Sequence, residues 1–136
     1  MSFLSRLVRP SLEVTAHCDL PCGVYDPAQA RIEAESVKAI QEKYQGNEDP
    51  TFRTRAIEIK DQRSELVKHH LWVLWTDYFK PTHFEKYPEL HELFNKATKA
   101  AGAGGTKSSN DPATGQALLD QIAEIDRIFW ETKQAA

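Results

Sequence analysis

The feature that most constrains this chain is a repeated pair, Asp26-Pro27, Asp49-Pro50 and Asp111-Pro112. An aspartate can accept from the first unpaired amides of a helix, and proline, which has no N–H to lose, suits the first helical position. Each pair therefore marks a helix start. Tyr87-Pro88 gives a weaker fourth start, Gly46-Asn47 stops the first segment, and the Gly/Ser-rich stretch 102–110 links the last two. The predicted helices are 27–45, 51–79, 88–101 and 112–132. Each carries an apolar stripe at the 3.6-residue period. The stripes run through Val37, Ile40 and Tyr44; Phe52, Ala56, Ile59, Val67 and Leu74; Leu90, Phe94, Ala97 and Ala101; and Leu118, Ile122, Ile125 and Phe129. The second stripe widens through Leu71, Trp75 and Tyr78. No segment sustains the two-residue alternation of a half-buried strand. The expected fold is all-α, an antiparallel four-helix bundle, and 136 residues suffice for one core.

Two charges interrupt these stripes. At about 100° per residue, Glu33 falls within about 40° of Val37, Ile40 and Tyr44. Arg63 falls near the centre of the second stripe, with His70 beside it. Buried ions need partners. Two readings stay open: a Glu–Arg pair that locks helix register or snorkels from a stripe edge, or a polar surround for something docked on the bundle.

Net charge is −3, with Lys and Arg interspersed among Asp and Glu. There is no basic stripe for nucleic acid, and no apolar run of the roughly 20 residues a membrane helix needs. Residues 1–16 end in Val14-Thr15-Ala16, faintly like a signal-peptidase site, but Arg6, Arg9, Pro10 and Glu13 break every apolar run of secretory length. A cytoplasmic location is expected ahead of a short amphipathic targeting leader.

The only cysteines are Cys18 and Cys22. Pro21 keeps their spacer from continuing as helix, and Gly23 permits a tight return. A compact loop could present both sulfurs to one ion, or the pair could be a local disulfide or two inert thiols. Zinc would want a second ligand pair. His69 and His70 are adjacent on a predicted helix and share no face, and His83 and His91 have no ligand spacing. The chemistry changes if the chain is cut after Ala16. His17 then offers a free amine and an imidazole, the Cys18 amide can deprotonate under a metal, and the two thiolates complete a planar nitrogen–sulfur set with an axial imidazole. Such a tetragonal site suits Ni(II) or Cu(II). Residues 1–16 would then be a leader that masks the amine, ahead of a domain spanning 17–136.

The string His17-Cys18-Asp19-Leu20-Pro21-Cys22-Gly23-Val24-Tyr25 resembles, residue for residue, the N-terminal nickel hook of the nickel superoxide dismutases. The runs Tyr78-Phe79-Lys80-Pro81, His83 through Pro88 and Ile128-Phe129-Trp130-Glu131 are also similar to that family. The resemblance implies a four-helix-bundle subunit of a hexamer, one nickel ion per subunit, superoxide as substrate, and a peptidase that exposes His17. It places the metal ligands on His17, Cys18 and Cys22, and the partners of the axial imidazole on Glu33 and Arg63. Tyr25 is expected to gate access, with Tyr78 as a possible neighbour, Asp19 to orient the anion or its proton source, and Lys80 to add at most local positive charge. A non-catalytic nickel or copper carrier and a structural bundle with a disulfide are the rival readings. A catalytic thiol pair is a minor third, its spacing being longer than that of the redox C-x-x-C.

Overall fold

The structure, a computed structural model, describes residues 22–135. Five α-helices follow: α1 (Ala28–Gln45), α2 (Pro50–Val73), α3 (Pro81–Lys86), α4 (Leu90–Ala100) and α5 (Pro112–Gln134). The four longer ones form the bundle, in which α1 packs on α2 and α5, and α4 closes the ring against α5 and α2. There is no strand among the described residues. The Asp49 and Asp111 starts form as the sequence implies, with the aspartate capping and proline in the first turn, whereas the first helix begins one residue later with Pro27 at the cap position. Asp26 Oδ1 accepts from the Ala28 amide at 2.9 Å, Asp49 Oδ2 from Phe52 at 3.1 Å, and Asp111 Oδ1 from Ala113 at 2.9 Å. Each cap is worth about 1 kcal/mol.

Two elements depart from the expected bounds. The second helix does not run as α-helix to 79. From Leu74 to Tyr78 it widens into a π turn, closed by the Phe79 amide on the Leu74 carbonyl at 3.0 Å. A short extra helix, α3, then precedes α4.

The core is the expected one on α4 and α5, where Leu90, Phe94, Ala97, Leu118, Ile122, Ile125 and Phe129 are buried. On α2 the buried seam is Ala56, Lys60, Ser64, Val67, Leu71 and Leu74. The expected seam through Ile59 and Arg63 is corrected: both side chains are exposed. The cause is the 102–110 connector. Buried Lys60 Nζ donates to the carbonyls of Thr106 (2.6 Å) and Ser109 (2.9 Å), and Ser64 Oγ hydrogen-bonds Thr106 Oγ1 at 2.8 Å. Gln41 of α1 reaches the same connector, donating to the Ser109 carbonyl at 3.0 Å and to Thr114 Oγ1 at 2.8 Å. Gly115 is needed where α5 crosses α1, because a Cβ there would lie 3.0 Å from the Lys38 Cα and 2.5 Å from Gln41 Oε1.

A surface network ties the segment after α3 to α5. Tyr87 Oη donates to Glu131 Oε2 at 2.7 Å, and Arg127 donates to Glu131 Oε1 at 2.6 Å. The Tyr87 hydroxyl, and then Arg127, hold the Glu131 carboxyl below its ordinary range. A depressed carboxyl contributes stability that is present above the unfolded pKa and is lost as pH falls through the folded one. Tyr87→Phe is therefore expected to lower the melting temperature at neutral pH. The gap from wild type should narrow as pH falls below the ordinary carboxylate range and close once Glu131 is protonated, as measured by thermal melts across a pH series; a constant gap would sink this account.

Candidate metal centre

Of the hook, Cys22, Gly23, Val24 and Tyr25 lie among the described residues; His17, Cys18 and Asp19 lie outside them. What is described fits a thiolate ligand. Cys22 is exposed, and its sulfur accepts the Val24 amide at 3.4 Å. Gly23 turns the backbone with φ 75°, a left-handed conformation that side chains rarely adopt. An amide aimed at sulfur lowers its basicity and favours the anion, the form that binds metal.

After the turn, Tyr25 enters a cleft of about 290 Å³ lined by Gly23, Asp77, Tyr78, Lys80, His83, Thr132 and Lys133 as well. The π turn builds this cleft. Its extra residue puts Phe79 into the core at 4% exposure while Tyr78 lines the opening, and π turns recur at functional sites. Tyr25 and Tyr78 face each other with ring centroids 5.6 Å apart. The Tyr78 ring is held by Phe129 at 4.4 Å and by His83, stacked at 5.8 Å, with Lys133 Nζ 5.2 Å from its centroid. Tyr78 Oη lies 2.7 Å from Thr132 Oγ1. His83 Nδ1 accepts the Lys80 amide at 3.0 Å, so the neutral ring carries its proton on Nε2. Burial, and then the Lys80 charge, lower the His83 pKa and keep the ring neutral.

Glu33 and Arg63 pair across α1 and α2, Arg63 Nη1 donating to Glu33 Oε2 at 3.1 Å and to Oε1 at 3.3 Å. The Glu33 side chain is 17% exposed and that of Arg63 44%. The pair sits at the seam's edge rather than at its centre, and neither residue lines the Tyr25–Tyr78 cleft. The other histidines are no ligand set. His91 Nδ1 accepts from the Trp75 indole at 3.0 Å, and its ring stacks on Phe84 at 4.0 Å. No group of three metal-binding side chains exists among the described residues.

Asp77, His83, Thr132 and Lys133 are cleft residues that sequence reasoning did not single out. Thr132 had a signal, since it extends the α5 stripe by three residues beyond Phe129. For His83 the signals were its place three residues after Lys80 at a proline-marked helix start and at the head of the family-like run 83–88.

A family model described as nickel-containing superoxide dismutase matches residues 12–133. Curated superoxide dismutases [Ni] of Streptomyces coelicolor and Streptomyces seoulensis are each 70% identical over 132 residues, covering 97% of this chain and 99% of their own. A native nickel superoxide dismutase structure is 72% identical with a TM-score of 0.84, over 87% of this chain and 99% of that one. One with nickel ligation of the oxidised state has the same TM-score at 71% identity, also over 87% of this chain and 99% of that one. An apo structure of the enzyme has a TM-score of 0.79 at 70% identity, over 82% of this chain and 99% of that one.

Proposed function

This chain belongs to the nickel-containing superoxide dismutases, and from that premise we propose that cleavage before His17 creates its metal site. The activity itself is that of the family: superoxide is converted to dioxygen and hydrogen peroxide. His17, Cys18 and Cys22 would hold the nickel, through the freed amine and imidazole of His17, the Cys18 amide and the two thiolates. When bound, nickel supplies a one-electron Ni(II)/Ni(III) couple. The leader, residues 1–16, blocks the amine until a peptidase removes it. The relative chain lengths support this, since the curated sequences take up 97% of this chain whereas the native solved structure takes up 87% and is itself covered to 99%.

The chain's own groups do the rest. Val24 donates its amide to the Cys22 sulfur. Glu33, oriented by Arg63, accepts from the His17 ring and keeps it close. Tyr25 and Tyr78 narrow the approach and exclude bulky reductants. Lys80 and Lys133 attract the anion locally, in a chain whose net charge of −3 provides no long-range pull. Asp19 orients the incoming anion or its proton source. Exposed Ile32, Trp72 and Trp130 supply apolar surface for assembly into a hexamer. No helix among the described residues is long and apolar enough to cross a membrane, and we place the enzyme in the cytoplasm.

The observation that supports a partner for the His17 imidazole is the Glu33–Arg63 ion pair at 3.1 Å. Arg63→Ala is expected to leave nickel bound and to slow turnover about tenfold, the usual loss for a partner of a ligating histidine. Because the arginine is exposed, unfolding free energy should move by less than about 1 kcal/mol. A variant that loses its fold while the folded fraction keeps full turnover would reduce the pair to a register lock.

A further inference from the structure

Thr132 lies where α5 meets the Tyr78 side of the cleft, and its hydroxyl makes two short contacts. Its Oγ1 is 2.6 Å from the Phe129 carbonyl oxygen and 2.7 Å from Tyr78 Oη. Two oxygens that close repel unless a proton lies between them. The carbonyl can only accept, so the proton on that side is the single one Thr132 owns. The contact with Tyr78 also needs a proton, and only the phenolic one is left. The hydrogen bonds therefore run in one direction, from Tyr78 to Thr132 to Phe129. Thr132 is 7% exposed and Phe129 is fully buried, so water does not supply an alternative donor to the carbonyl. Tyr78 thus has its O–H committed to the cleft wall at Thr132 and not to a molecule in the cleft. Lys133 over one part of its ring and His83 stacked on it keep the phenol from swinging out of this arrangement.

We infer that Thr132 is a positioning residue that fixes the hydrogen-bond polarity of Tyr78, so that the cleft meets the Tyr78 oxygen as an acceptor and not as a proton donor. An acceptor at that point recognises species that carry an O–H, namely water and the hydrogen peroxide product, and disfavours anions. Anion attraction falls to Lys80 and Lys133, and proton donation to the substrate falls to another group. No bond is formed or broken by Thr132 itself. The consequence for anions rests on the proposed function of the cleft; the polarity of Tyr78 does not.

The test has two arms. In the metal-free protein, the Tyr78 Cζ resonance is recorded in equal parts of H2O and D2O. A phenol whose proton is held in a buried hydrogen bond exchanges slowly and gives two lines. The wild type and Thr132→Ser, which keeps the hydroxyl, are expected to show two lines, and Thr132→Val one. Thr132→Ala serves in place of the valine variant should that one fail to fold. A single line in the wild type would mean that the phenolic proton already faces the cleft, and would overturn the assignment. In the nickel-loaded enzyme, Thr132→Val frees the Tyr78 O–H to donate into the cleft, and azide is expected to inhibit about fivefold more tightly, the worth of one hydrogen bond. Unchanged azide affinity alongside the altered line pattern would overturn the consequence for anions. Absence of dismutation in the wild type would instead strike the proposed function and leave the line pattern standing.

Discussion

A chain that cannot be cut between Ala16 and His17 is expected to retain less than about a tenth of an equivalent of nickel and to show no dismutation above the spontaneous rate. The physical reason lies in the nitrogen of His17. In the uncut chain it is a peptide amide, whose lone pair is delocalised into the carbonyl and which must lose its proton before it can bind metal. Cleavage converts it into an amine that donates at neutral pH. Two thiolates remain in either case, but five residues alone, Cys18 to Cys22, then have to close a site without its terminal anchor. Metal analysis and activity of the blocked chain, beside the same chain with cleavage restored, measure the effect. The proposal fails if full nickel and full activity are found with Met1 still in place.

Lys60→Met is expected to lower the unfolding free energy by about 3 kcal/mol, or the melting temperature by roughly 10 °C. The lysine is 2% exposed, and its ammonium meets the Thr106 and Ser109 carbonyls at 2.6 and 2.9 Å, with Asp61 Oδ1 at 3.5 Å. Methionine fills most of the same volume, so little of the loss comes from a cavity. The carbonyls lose their charged donor, and a buried acceptor without a partner costs about 1–3 kcal/mol. Hydrogen exchange should quicken first in residues 102–110, because these backbone groups depend on Lys60, Gln41 and Ser64 rather than on a regular helix. Calorimetry with exchange mass spectrometry checks both parts. A variant as stable as wild type would show that the connector is held by its own turns. The cleft lies outside this region, so the nickel-loaded activity of the folded variant should be retained.

The departures from the sequence reading on the second helix have two causes. The α2 stripe was read by hydrophobicity, which put Ile59 and Arg63 on the buried face. The structure buries Lys60 and Ser64 because the connector brings carbonyl and hydroxyl partners to them, and a polar side chain is as content inside as outside once its donors are satisfied. Arg63 is thereby displaced to the edge, where it still meets Glu33; the pair was legible, its depth was not. The π turn at Leu74–Tyr78 left no trace in the periodicity, since one extra residue in a turn resembles ordinary scatter in the stripe.

Local chemistry settled the Asp-Pro helix starts and the apolar faces of α4 and α5. Each depends on residues within a few positions of one another, and an Asp-Pro pair favours a helix start in most surroundings. The meeting of Tyr25 with Tyr78, the hydrogen-bond direction imposed by Thr132 and the burial of Lys60 depended on packing. They join residues 53, 54 and 46 positions apart, and nothing along the chain specifies which distant polar group will be present to satisfy another.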